Sequence, residues 1–228
     1  MVTKEFIGGI RRRVEELQDQ LKAVASAEEA EKMTTYLRNQ FLFLGVRAGL
    51  RRKISKEFFK PYQKNPIDWN FVEQAWANPY REIHYTVIDY LTMNKRKLTP
   101  EDLPRLESLI TTHSWWDSVD GLDRIAGEIA FSYPKAKSVL LDWSVSDNIW
   151  LRRVAIDHQL LRKQDTDTEL LEQIVVNNLG QTEFFITKAI GWSLRDYSKV
   201  NPAWVREFLA KYEAKMAPLS IREASKYI

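Results

Sequence analysis

The feature that most constrains the fold of this chain is a helical period with no competing one. Thr34 to Leu44 places apolar residues at Leu37, Phe41 and Leu44, and Phe71 to Ala77 and Ile83 to Leu91 repeat that spacing. No stretch alternates apolar and polar residues as a half-buried strand requires. Helix-start signals recur. Ser26 precedes Glu29 by three residues, Ser220 likewise precedes Glu223, and Thr99-Pro100-Glu101-Asp102 puts a cap before a proline at the first helical position. In each, a short polar side chain can accept from the orphan N–H groups of a first turn. The eight Gly and eight Pro are expected to fall between the segments. The expectation is an all-α chain of roughly a dozen short helices.

A repeat overlies this pattern. Tyr80, Trp115, Trp150 and Phe185 stand 35 residues apart, each near the start of an expected helix. Aligning Ser146–Ala155 with Gln181–Ile190 brings Arg153 to Lys188 and Val154 to Ala189. His84 and Val119 follow in the same register. Helical pairs recurring at about 33–47 residues mark HEAT-like or TPR-like arrays. The period therefore reads as a curved solenoid of HEAT-like or TPR-like helical repeats whose inner helices meet a partner.

Composition removes several function classes. The chain has no cysteine, which excludes disulfides, thiolate-bound zinc and a cysteine nucleophile and fits a reducing cytoplasm. His84, His113 and His158 lack metal-ligand spacing, so neither metal nor cofactor is expected. No apolar run reaches a membrane-spanning length of about 18 residues, and Met1 to Ile10 does not read as a targeting segment. P-loop, Gly-rich dinucleotide and nucleophile-elbow motifs are missing. Charge is unevenly spread. Residues 1–60 carry a net +5, residues 61–130 a net −4 and residues 131–228 a net +2. A polyanion held at both ends across an acidic centre would suit this distribution, and so would ordinary surface scatter.

The acidic centre holds Ser114-Trp115-Trp116-Asp117-Ser118-Val119-Asp120. Ser114 and Asp117 read as a capping pair, with Asp117 a cap rather than a catalyst. A helix starting there puts Trp116 and Asp120 on one face. An indole beside a carboxylate suits a flat cationic group. Trp115, Trp143 and Trp150 read as core, and Phe184 and Phe185 as packing. Further on, Lys188 and Trp192 share a face, with Arg195 three residues beyond. If repeats stack in register, Asp120, Arg153 and Lys188 come from successive units, and Arg153, Lys188 and Arg195 could clamp phosphates around the Trp116–Asp120 pair. Arg51, Arg52 and Lys53 read either as a solvated face or as phosphate contacts.

These residues carry a resemblance. Thr112 to Asp120, Ser146 to Arg153 and Lys188 to Arg195 resemble the AlkD family of DNA alkylation-repair glycosylases. Phe41-Leu42-Phe43-Leu44-Gly45 with the upstream Tyr36 is similar to the same family, as is Ala217 to Ala224. The resemblance spans essentially the whole chain. It implies that residues 1–228 form a single domain, an all-α curved solenoid of HEAT-like helical repeats that wraps duplex DNA on its concave face. It also implies hydrolysis of the N-glycosidic bond of N7- or N3-alkylated purines without a pocket for the flipped base. By position, Asp120 matches the family's catalytic aspartate and Trp116 and Trp192 its site tryptophans. Arg153 matches its backbone-contacting arginine, and Tyr36 a tyrosine near the site. Ala48-Gly49-Leu50 departs from the Thr-Pro-Glu that family members often carry before the Arg51-Arg52 pair.

The chemistry is coherent with these residue types. A purine alkylated at N7 or N3 is already cationic, so its departure needs no general acid. A carboxylate near C1′ stabilises the positive charge developing on the sugar and can orient water. The expectation is a monomeric, monofunctional alkylpurine DNA glycosylase, cytoplasmic and acting at the nucleoid, with duplex DNA bearing alkylated bases as partner. Lys188 is not expected to act as an amine nucleophile. The alternative is a non-catalytic HEAT-like protein binding structured DNA or a protein partner.

Overall fold

A computed structural model describes the backbone of residues 4–228 and the side chains of residues 12–228. The reading of Met1 to Ile10 lies outside the described side chains. The described residues form thirteen α-helices linked by turns of 3-10 helix, with one isolated β-bridge, Leu42 to Tyr80, and no strand. The chain is all-α, as its period requires. It divides into two compact units, Met1–Leu98 and Thr99–Ile228.

The first unit contains α1 (Lys4–Lys22), α2 (Ala27–Tyr36), α3 (Ala48–Phe59), α4 (Trp69–Trp76) and α5 (Arg81–Met93). Ser26 caps α2 by accepting from the Glu29 N–H, as its spacing predicts. Asp68 caps α4 through the Phe71 N–H and also accepts from Arg13 at 2.7 Å. The core is aromatic. Phe59 meets Phe58 and Phe71 edge-on and lies 4.6 Å from the Tyr90 ring.

The helical reading of Thr34 to Leu44 fails after Tyr36. Arg38 and Asn39 adopt φ of +56° and +59°, which ends the helix. The cause lies in α5. The buried carboxylate of Glu82 accepts from the N–H groups of Leu44, Gly45 and Val46 at 2.8–3.1 Å. It supplies what a helix would otherwise have supplied. Gly45 sits at φ +85°, where a Cβ would stand 1.9 Å from the Ser26 carbonyl oxygen. Phe41 is covered by the Arg81 guanidinium, 3.7 Å from its ring centre. The Phe41–Gly45 run is thus a loop fastened to α5.

The second unit contains α6 (Leu103–Thr111), α7 (Trp116–Ser132), α8 (Lys137–Ser144), α9 (Ile149–Asp157), α10 (Thr168–Val176), α11 (Phe184–Ser198), α12 (Pro202–Tyr212) and α13 (Pro218–Ala224). Helices α7, α9, α11 and α13 pack successively in one row, and the intervening helices back them. The 35-residue register is physical within this unit. Rings of Trp115, Trp150 and Phe185 meet with centroids 4.9–5.8 Å apart at the starts of α7, α9 and α11. Beneath them Val119, Val154 and Ala189 are fully buried. Trp143 is core, its indole N–H donating to Glu107 at 3.2 Å.

Two start signals do not act as caps. Trp115 occupies the N-cap of α7, while the Ser114 hydroxyl donates back to the Ile110 carbonyl at 2.6 Å. That hydroxyl finishes the preceding α6 instead. Asp117 lies in the first turn of α7, where an acidic side chain favours the positive end of the helix. Ser220 and Glu223 lie inside α13, whose N-cap is Ala217. The Ser220 hydroxyl donates to the Thr187 carbonyl at 2.7 Å, joining α13 to α11.

Rows this close need small residues at the crossings, so Gly127 and Gly191 lie inside α7 and α11 rather than between helices as the sequence suggested. A Cβ on Gly127 of α7 would stand 2.1 Å from the His158 carbonyl oxygen, and the Arg162 guanidinium donates to the Gly127 carbonyl. Gly127→Ala therefore forces α7 away from the end of α9. It is expected to cost about 1–3 kcal/mol and to lower the thermal midpoint by several degrees on the scale of about 2–4 °C per kcal/mol. Circular dichroism melts check this, and an unchanged midpoint would refute the crossing as described.

Candidate functional site

Asp120 lies on α7 one turn beyond Trp116, and Arg153 reaches it from α9. Arg153 donates through Nε and Nη2 to the two carboxylate oxygens of Asp120 at 2.8 and 2.9 Å. Its Nη1 donates to the Phe185 carbonyl at 2.8 Å, and its guanidinium carbon lies 5.5 Å from the Trp192 ring centre. The two partners differ in exposure. The Arg153 side chain is 2% exposed and that of Asp120 24%, so the carboxylate is the part of the pair that solvent or a ligand can reach. Burying a guanidinium costs several kcal/mol, and the paired, charge-assisted bonds offset that cost. Burial works against the Arg153 charge, but Asp157 and Asp120 more than offset it and raise its pKa above the ordinary value.

Trp192, on α11, gathers cations. Besides Arg153, Lys188 and Arg195 approach its ring at 5.6 and 5.8 Å. Both are anchored from behind by Glu223 of α13, at 2.9 and 2.6 Å, and Lys226 joins at 2.8 Å. Hydrogen bonds from Lys226 and Lys188 hold the Glu223 carboxyl down at about 2. Gly191 makes this possible, because a Cβ there would stand 2.5 Å from the Glu223 Cβ. The second unit thus brings together Trp116 and Asp120 on α7, Arg153 on α9, and Lys188, Trp192 and Arg195 on α11.

The remaining predicted residues lie in the first unit. Tyr36 ends α2 and is exposed. Arg51 is buried, donates to Asp89 at 3.1 Å and lies 4.8 Å from the Tyr85 ring centre. It is therefore not part of a solvated face. Arg52 is exposed, and with Lys56, Asp89 and Lys97 it lines a cavity of about 610 Å³.

Two site residues escaped sequence reasoning. Asp123 stands one turn after Asp120, and Asp157 one turn after Arg153; each is 1% exposed. Oxygens from Asp120, Asp123 and Asp157 lie within 4.8 Å of one another, and the cation among them is the Arg153 guanidinium. No hydrogen bond reaches either oxygen of Asp123 or of Asp157. Their nearest cations are Arg124 at 3.8 Å and Arg153 at 3.6 Å respectively. Burial, with Asp157 and Asp120 adding repulsion, pushes the Asp123 carboxyl well above the usual range. Burial likewise raises Asp157 to about 7, against the pull of Arg153. The signal for both was their 3- and 4-residue spacing from Asp120 and Arg153.

The second unit presents a carboxylate backed by a buried guanidinium and an indole in a helical-repeat scaffold, a class of site suited to a cationic partner. The profile of the DNA alkylation repair enzymes matches residues 17–228, and the chain belongs to that family. It is 34% identical to a predicted DNA alkylation repair enzyme from Enterococcus faecalis, with 90% of this chain and 96% of that one covered and a TM-score of 0.83. AlkD2 from Streptococcus mutans is 16% identical, at 96% and 99% coverage and a TM-score of 0.61. The smu.31 protein of Streptococcus mutans UA159 is also 16% identical, at 95% and 99% coverage and a TM-score of 0.60. No curated protein matches the chain. No helix among the described residues is long and apolar enough to cross a membrane.

The raised Asp123 carboxyl has a stability consequence. The folded state keeps a proton that the unfolded chain releases near the ordinary value of 3.8. Asp123 therefore favours folding most at low pH, and that contribution shrinks as pH rises towards its folded value. His158 acts oppositely, because burial lowers it to about 4 and stability falls as pH drops from 6.5. Comparing Asp123→Asn with the wild type cancels His158. The thermal midpoint of the variant, relative to the wild type, is expected to climb steadily from pH 5 to pH 8. A difference independent of pH would contradict the assignment.

Proposed function

We propose that the protein is a monomeric, monofunctional DNA glycosylase that releases cationic N7- or N3-alkylated purines from duplex DNA. The observation that carries this is the Asp120 carboxylate, accessible at its outer edge and held in place by buried Arg153. Family membership supports a repair role on DNA, and the position of the site within the second unit supports where the chemistry occurs.

In this reading Asp120 faces C1′ of the alkylated nucleotide. As the glycosidic bond lengthens, positive charge moves from the base to the deoxyribose, and the carboxylate is already oriented towards it. Such preorganisation costs nothing at the moment of reaction. Trp116 and Trp192 shield the sugar from water and strengthen the field. Lys188 and Arg195, fastened by Glu223, contact phosphates, and the exposed Tyr36 and Arg52 of the first unit are further candidates for contact with DNA, whereas Arg51, buried against Asp89, serves packing. Arg153 serves here chiefly as the strut for Asp120. Because the leaving base is already cationic, neither a general acid nor a lyase step through Lys188 is required.

The test is release of free base from duplex DNA carrying 7-methylguanine under single-turnover conditions. The wild type is expected to release it. Asp120→Asn keeps the shape, loses the charge, and is expected to be slower by roughly 10²- to 10³-fold. No release by the wild type, with salt-sensitive DNA binding retained, would favour the non-catalytic binding reading. Full release by Asp120→Asn would refute the role given to Asp120.

A further inference from the structure

We propose that Asp157, with Asp123 as its proton-sharing neighbour, is a positioning residue that sets how much of the Arg153 charge reaches Asp120, and so makes the site respond to pH. This rests on the glycosylase reading and adds a regulatory group to it.

The geometry is a competition for one guanidinium. Arg153 binds Asp120 through Nε and Nη2, and the same Nη2 lies 3.6 Å from an Asp157 oxygen. The only cation within ion-pair distance of Asp157 among the described residues is this shared guanidinium, and its oxygens accept no hydrogen bond, so a proton is the other way to relieve its charge. Asp123 likewise has a single nearby cation, the half-exposed Arg124 at 3.8 Å. The charged groups facing the pair come from α7 and α9, namely Asp120, Arg124 and Arg153. Helix α11 contributes the Trp192 indole, its Lys188 and Arg195 being tied to Glu223. With all three carboxylates ionised, one buried guanidinium and the half-exposed Arg124 would face three negative charges. A proton held between Asp123 and Asp157 relieves that excess.

Loss of the Asp157 proton has a defined effect. An ionised Asp157 draws on the charge of Arg153, and Arg153 then neutralises Asp120 less completely. The negative potential that Asp120 presents to a developing sugar cation rises. With Asp157 protonated, Arg153 serves Asp120 alone and damps its field. The position of Asp157, raised to about 7, puts this change within the physiological range.

Asp157→Asn locks the site in its protonated-like state. Single-turnover release of 7-methylguanine is measured from pH 5.5 to 8.5 as the ratio of wild type to variant, so that titration of the substrate cancels. The ratio is expected to stay near one at the acid end and to rise to about tenfold at the alkaline end, corresponding to about 1.4 kcal/mol of altered stabilisation. A ratio that does not vary with pH would overturn the proposal, because a purely structural loss has no such profile. Activity abolished by EDTA and restored by Mg²⁺ would also overturn it, since an ion would then occupy the place assigned to the proton. Asp123→Asn provides the second variant if Asp157→Asn does not fold. The amide introduced by Asp123→Asn can donate to the Asp157 carboxylate and favour its charged form, so the midpoint of the pH profile is expected to fall. An unmoved midpoint would count against the shared proton. Failure of the wild type to release base would refute the glycosylase reading itself, which a flat ratio from an active enzyme would leave standing.

Discussion

The site in the second unit depends on one ion pair, Asp120 with Arg153. A lone carboxylate on a helix surface would swing freely and be well solvated, and its field at any fixed point would be weak. Here two donors on one planar group fix both oxygens, while Phe185 and Trp192 fix the guanidinium. The arrangement trades some of the Asp120 charge for orientation. What the chain adds, through Asp157, is a second claimant on the same cation.

The repeat explains how such a pair arises. Side chains in one register on α7, α9, α11 and α13 meet their neighbours across the row, so cation and carboxylate join over similar intervals. Arg153 meets Asp120 at 33 residues and Lys188 meets Glu223 at 35. The aromatic cluster of Trp115, Trp150 and Phe185 keeps the helix starts level. Gly127 and Gly191 let the row close up. Substitutions at these positions would reach the site through helix spacing, without touching Asp120.

Much of this was legible in the sequence, for physical reasons. The 3.6-residue period and the 35-residue aromatic register are local or periodic signals, and both survive folding. The i,i+4 relation of Lys188 and Trp192 was likewise readable and appears as a 5.6 Å contact. What stayed hidden depends on partners remote in sequence. Thr34 to Leu44 looked helical because nothing local announces that Glu82 will take the N–H groups of Leu44, Gly45 and Val46. Ser220 and Glu223 had the spacing of a cap, yet Thr187, Lys188 and Arg195 claimed them instead. Nothing local to Asp123 or Asp157 announces the packing that takes them out of solvent. The distinction between Arg51, held by Asp89, and exposed Arg52 also required the packing of α3 on α5.

The central claim is that a fixed carboxylate acts on charge developing in the sugar, without acid catalysis of base departure. The most direct measurement compares single-turnover base release from otherwise identical duplexes carrying either a cationic or a neutral lesion. The account predicts release of 7-methylguanine and 3-methyladenine and no enzyme-dependent release of neutral hypoxanthine, whose departure needs a proton the site does not supply. Release of hypoxanthine at a rate comparable to that of 7-methylguanine would contradict it.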